Sequence, residues 1–142
     1  LPTLADDSGL VVPALNGAPG LHSARYSEEG SDQANNEKLL REMRHLSTEE
    51  RSAYFHSTIL LLRYEHDPTP TIATGEVWGN ILPTPRGEGG FGYDPLFYYP
   101  KLNQSFAEIP LTQKNELSHR AQALKKLINQ LKNDPLFTTP HL

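Results

Sequence analysis

The clearest apolar run covers Ala53 to Glu65, where Tyr54, Phe55, Ile59, Leu60, Leu61, Leu62 and Tyr64 leave both faces largely apolar, as in a central strand. His66-Asp67-Pro68-Thr69-Pro70 breaks the run. From Thr71 to Leu82, Ile72, Thr74, Glu76 and Trp78 then alternate with Ala73, Gly75 and Val77. That period of two predicts a second strand returning as a hairpin, the centre of an antiparallel or mixed sheet. Upstream, Leu4 to Asp6 and Leu10 to Val12 read as short strands around an Asp-Ser-Gly turn, with Pro13 placing the second at an edge or ending it. Downstream, Phe91 to Tyr99 carries aromatics at Phe91, Tyr93, Phe97, Tyr98 and Tyr99 and predicts a further strand.

Helical spacing marks two other stretches. Ser31 or Asp32 can cap a helix to about Leu46, with Leu39, Leu40, Met43 and Leu46 on one face and the pairs Glu37/Arg41 and Lys38/Glu42 on the exposed side. Ser118 can cap a second, running to about Asn133, with Ala121, Leu124, Leu127, Ile128 and Leu131 toward the core and Pro135 ending it. A short helical turn at His22 to Tyr26 precedes the first, and a capping box at Ser47-Thr48-Glu49-Glu50 follows it.

A chain of 142 residues fits one domain over 1–142, with 134–142 as a tail. Apolar content of 37% and charged content of 21% describe a folded, loop-rich protein, and no apolar run reaches membrane-spanning length. The net charge of −4 argues against broad nucleic-acid binding, which needs a basic surface. Cysteine is absent, which removes disulfides, thiolate metal sites and thiol nucleophiles. His22, His45, His56, His66 and His141 show no metal-ligand spacing.

Candidate chemistry gathers at three places. Asp6 and Asp7 are adjacent carboxylates in an apolar run; in a strand they face opposite sides, so one faces the chemistry, as a ligand for a hard cation or a general base. Taken alone, the stretch fits a polar turn equally well. Gly87, Gly89 and Gly92 match GxGxxG but open onto Tyr93-Asp94-Pro95 rather than a helix, so a dinucleotide fold is rejected. What remains is a glycine loop that lets backbone approach a ligand, with Phe91 or Tyr93 able to stack on a base. Lys114, His119 and Arg120 lie where a helix begins and favours anions, or can donate to base carbonyls.

Taken together, Ala5-Asp6-Asp7-Ser8-Gly9-Leu10, Gly17-Ala18-Pro19-Gly20, Ser23-Ala24-Arg25-Tyr26, Gly89-Gly90-Phe91-Gly92-Tyr93-Asp94-Pro95 and Ser118-His119-Arg120 resemble, in order, the inosine triphosphate pyrophosphatase family. The resemblance implies an α/β fold with an elongated mixed, largely antiparallel sheet flanked by helices. It also implies Mg²⁺-dependent hydrolysis of ITP, dITP and XTP to the monophosphate and pyrophosphate by a cytoplasmic homodimer. By motif, Asp7 resembles the general base and metal carboxylate, with Asp6 beside it. Ser8, Phe91, Gly92, Tyr93, Asp94, Lys114, His119 and Arg120 resemble the substrate contacts, Phe91 being the stacking ring. Ala121 stands where the family usually has glycine. The family's N-terminal strand, its phosphate loop and a further metal-binding glutamate have no match in these residues, so the expected domain is N-terminally truncated. The alternative function is a non-catalytic nucleotide-binding or dimerisation fragment.

Overall fold

A computed structural model describes residues 2–133; the expected tail and the Pro135 helix stop lie outside them. One sheet runs β1 (Thr3–Val11), β2 (Ser52–Leu62), β3 (Thr71–Ile81), β4 (Phe97–Tyr99) and β5 (Gln104–Ser105) in that order, every pair antiparallel. Helices α1 (Asp32–Glu42), α2 (Leu111–Leu117) and α3 (His119–Leu131) complete the α/β fold.

The hairpin of β2 and β3 is set by its turn. Asp67 accepts from Arg63 N–H at 3.1 Å and from Thr69 N–H at 2.9 Å, and the Arg63 guanidinium beside it holds its carboxyl well below the usual range. Along β2, Ala53, Phe55, Ser57, Ile59 and Leu61 are buried while Tyr54, His56, Thr58, Leu60 and Leu62 between them are partly buried. β2 lies between β1 and β3 as a central strand, with its outer face covered less fully than its inner one. Across the inner face Ser8 pairs with Ser57 and Ser57 with Gly75.

This row of small residues divides the interior. On one side Leu10, Phe55, Val77, Phe97 and Phe106 join the larger core, with Phe97 and Phe106 at 4.7 Å between centroids. Burying each such ring stabilises the fold by roughly 1.5–3 kcal/mol. On the other side Ile59, Leu61, Ala73, Ala123 and Leu127 form a smaller cluster beneath α3. At Gly75 the helix meets β3 backbone to backbone: a Cβ there would lie 2.2 Å from His119 O and 2.7 Å from Ala123 N.

Several expected boundaries move. The chain does not turn at Asp-Ser-Gly: Thr3–Val11 runs as one edge strand, because Ser8 and Gly9 pair with Ser57 and His56. Gly9 also makes room for Gly20 O, which would lie 2.6 Å from a Cβ. Only Phe97 to Tyr99 of the expected Phe91–Tyr99 strand forms. The residues before it include Gly90 and Gly92 at φ 71° and 58°, followed by a 3-10 turn over Asp94–Leu96 with Pro95 in its first turn. α1 stops at Glu42 and is capped by Ser31, and its Lys38 bonds Tyr26 O at 2.8 Å rather than pairing with Glu42. The buried face of α3 is Ala123 and Leu127, since the close approach at Gly75 turns Ala123 inward; Leu124 and Ile128 are about half exposed. Strand β5 and helix α2, too short to carry a period, were not expected.

Replacing Gly75 with alanine is expected to destabilise the fold by about 1–3 kcal/mol, because the methyl cannot fit without lifting α3. Thermal unfolding measures this; an unchanged midpoint contradicts the packing described.

Candidate active site

A cleft of about 680 Å³ opens between the sheet, the Phe91–Asp94 loop and the helices α2 and α3. Asp6, Ser8, Phe91, Gly92, Tyr93, Asp94, Lys114, His119 and Arg120 all line it. Asp7 does not. It projects to the outer face of β1, where it borders a separate hollow with Gly9, Leu21 and His56.

The loop wall is built around a buried ion pair. Asp94 accepts from the Phe91 N–H at 3.0 Å and pairs with Lys114 Nζ, both side chains being almost fully buried. Gly90 lies against it, since a Cβ there would fall 2.3 Å from Asp94 Oδ2. Lys114 Nζ also sits 4.6 Å from the centre of the Phe91 ring, a cation–π contact that fixes the ring's underside. The Phe91 ring itself is 67% exposed. Asp94 and Lys114 thus hold the loop, and Phe91 is the part of it presented outward. Tyr93 is buried with its hydroxyl donating to Ser23 O at 2.6 Å, and burial pushes its pKa up, so it stays protonated.

On the floor, Asp6 is held from several sides. Ser57 Oγ donates to Asp6 Oδ1 at 3.4 Å, Ser8 Oγ donates to Ser57 Oγ at 3.3 Å, and Arg120 Nε lies 3.4 Å from Asp6 Oδ2. Arg120 Nε also donates to Ser8 Oγ at 3.3 Å. The Asp6–Arg120 pair is partly exposed, so its worth is about 1 kcal/mol or less; what it provides is orientation. The Asp7 side chain has no hydrogen-bond or ion-pair partner among the described residues. No group of three or more His, Cys, Asp or Glu among those residues is arranged to hold a metal by itself.

His119 begins α3 with its ring stacked on Phe55 at 5.0 Å and 13°. Its Nδ1 is buried without a hydrogen-bond partner among the described residues. Burial, assisted by the cations Arg120 and Lys114, lowers its pKa to about 4, with Asp6 opposing. At neutral pH the ring is uncharged, and its buried Nδ1 is unsatisfied among the described residues.

Ser57 was missed by motif reading. Its signal was the single hydroxyl among the inward residues of β2, a buried polar group that needs a partner, and the partner is Asp6. Ser23, which receives no role from the motifs beyond its place in one, supports both Tyr93 through its carbonyl and Leu10 N–H through its hydroxyl at 2.9 Å.

Residues 1–130 match the Ham1 family. The chain belongs to that family. Among Ham1 relatives, the dITP/XTP pyrophosphatases of Haemophilus ducreyi and Haemophilus influenzae are each 54% identical to it over 132 residues, 92% of this chain and 67% and 68% of theirs. That of Escherichia coli is 48% identical over 134 residues, 94% of this chain and 68% of its own. A Ham1 structure from Coxiella burnetii superposes with a TM-score of 0.89 at 44% identity, covering 94% of this chain and 68% of that one. The Ham1 protein of Staphylococcus aureus gives 0.86 at 42% identity, covering 92% and 67%. The chain thus spans about two thirds of the length of these relatives, and no helix among its described residues is long and apolar enough to cross a membrane.

The depressed pKa of His119 gives a signed prediction. The unfolded chain takes up this proton near pH 6.5 and the folded chain near 4, so stability present above about pH 6.5 is lost as pH falls toward 4. In an NMR titration the His119 ring resonances are expected to stay flat from pH 8 to 5.5; a midpoint near 6.5 contradicts the buried, neutral assignment.

Proposed function

We propose that this Ham1 chain hydrolyses non-standard purine nucleoside triphosphates, dITP, XTP and ITP, to the monophosphate and pyrophosphate, removing them from the nucleotide pool. The observation that carries the reading is the convergence of an outward aromatic ring, Phe91, with unsatisfied or cationic donors, His119 and Arg120, in one cleft. The names and identities of the Ham1 relatives support the substrate class.

In this reading the purine stacks on Phe91, and its six-carbonyl accepts from the neutral His119 ring or from Arg120. Adenine presents an amino group at that position and leaves these donors unpaired, at about 1–3 kcal/mol for each buried one. Ser8 contacts the substrate where it leaves the cleft over β1, and the phosphates cross that edge toward Asp7. There Asp7 orients a water and takes its proton as the water oxygen bonds to the α phosphorus. The bond from the α phosphorus to the bridging oxygen breaks, and pyrophosphate leaves. Asp6, held by Ser57 and Arg120, keeps the base donors in place.

Mg²⁺ fits this arrangement with Asp7 as its carboxylate and Asp6 beside it in sequence, since a small hard cation takes one or two carboxylates and fills its shell with water and phosphate oxygens. Bound there it would offset phosphate charge. We further propose a homodimer, supported by the half-exposed Ile72 and Trp78 on the outer face of β3, and a cytoplasmic location, where nucleotide pools turn over.

Pyrophosphate release from dITP and XTP with Mg²⁺ tests the activity. Turnover is expected to exceed that of ATP, to fall at least about 100-fold in Asp7→Asn, and to lose its preference over ATP in Arg120→Ala. Nucleotide binding without release, at high protein concentration, supports instead the non-catalytic binding module; full activity in Asp7→Asn removes Asp7 as the base.

A further inference from the structure

The loop that carries Phe91 is fastened at a second point, by helix α1. Gly92 is gripped by both of its peptide groups: its N–H donates to Asp32 Oδ2 at 2.9 Å and its carbonyl accepts from Asn36 Nδ2 at 3.0 Å. Asp32 and Asn36 are four apart and share one face of the helix. The helix is itself fixed, with Leu39 fully buried and Ser31 accepting from Ala34 N–H at 3.1 Å. Asn36 Oδ1 is buried with no partner among the described residues. Burying an unpaired acceptor is unfavourable, so the gain of an amide at this position is its bond to Gly92.

We propose that Asp32 and Asn36 are positioning residues for purine recognition. By holding the Gly92 peptide from both sides, while Asp94 holds the Phe91 N–H, they keep the exposed Phe91 ring facing the cleft before a base arrives. Asn36 does not line the cleft; Asp32 borders it, with its Oδ2 accepting from the Gly92 N–H. Their effect passes through Phe91, because Gly92, at φ 58° and with nothing packed where a side chain would project, is held by these two bonds. The proposal rests on the nucleotide reading given above.

The test is calorimetric titration of the full chain with IMP. Asn36→Ala and Asp32→Ala are each expected to weaken binding about three- to tenfold, the effect of one hydrogen bond. Asp32→Asn, whose amide oxygen accepts the same bond, is expected to restore it. In a Phe91→Ala background, Asn36→Ala is expected to have no further effect, since coupled residues are not additive. Thermal unfolding checks that the variants fold; if Asn36→Ala does not, the contrast between Asp32→Ala and Asp32→Asn decides. Wild-type affinity in the single variants, or an equal loss with and without Phe91, overturns the clamp alone. Failure of the wild-type chain to bind IMP removes the nucleotide reading, and the clamp with it.

Discussion

Helix α3 rests on β3 at backbone distance because residue 75 carries no side chain, with His119 O where a Cβ would otherwise project. The rest of the site follows from that approach. It turns Ala123 and Leu127 into the smaller core, and it brings the first residues of α3 down to the sheet. His119 then reaches Phe55, and Arg120 reaches Asp6 and Ser8. The cleft lies between the two apolar clusters, with Asp6, Ser8, Phe55 and Ile59 on its floor.

The strands β2 and β3 were legible because their alternation is long and their breaker is strong; the sites of Phe91, His119 and Arg120 were legible because they sit in motifs. Other features were not. Asp-Ser-Gly favours a turn locally, yet the pairing of Ser8 and Gly9 with β2 overrides that preference. Phe91 to Tyr93 has the aromatic content of a strand, but left-handed glycines and the Asp94 side chain bend it into a loop. The apolar face of α3 is wide enough to allow more than one rotation, and only the contact at Gly75 selects Ala123 over Leu124. Ser57 belongs to no motif, and its role appears only when the register places it between Ser8 and Gly75.

Strand alternation also divides the labour of the two carboxylates. Asp6 lies in the cleft, fixed by a serine and an arginine, and is suited to orienting donors rather than to taking a proton. Asp7 lies on the outer face of β1, its side chain unpaired among the described residues and open to water, which under the proposed function suits a base and cation ligand. In that proposal the base-reading and phosphate-handling ends of a nucleotide fall on two sides of one strand. Asp94 and Lys114, the other pair with candidate chemistry, spend their charges on each other and stiffen the loop.

On the proposed function, the cleft under α3 holds a purine. NMR shift mapping with IMP tests it most directly, because the single tryptophan, Trp78, lies on the outer face and serves as an internal control. The account predicts shifts at Phe91, Gly92, His119 and Arg120 with the Trp78 indole unmoved. Shifts centred on Trp78 and Ile72, or none at all, would contradict it.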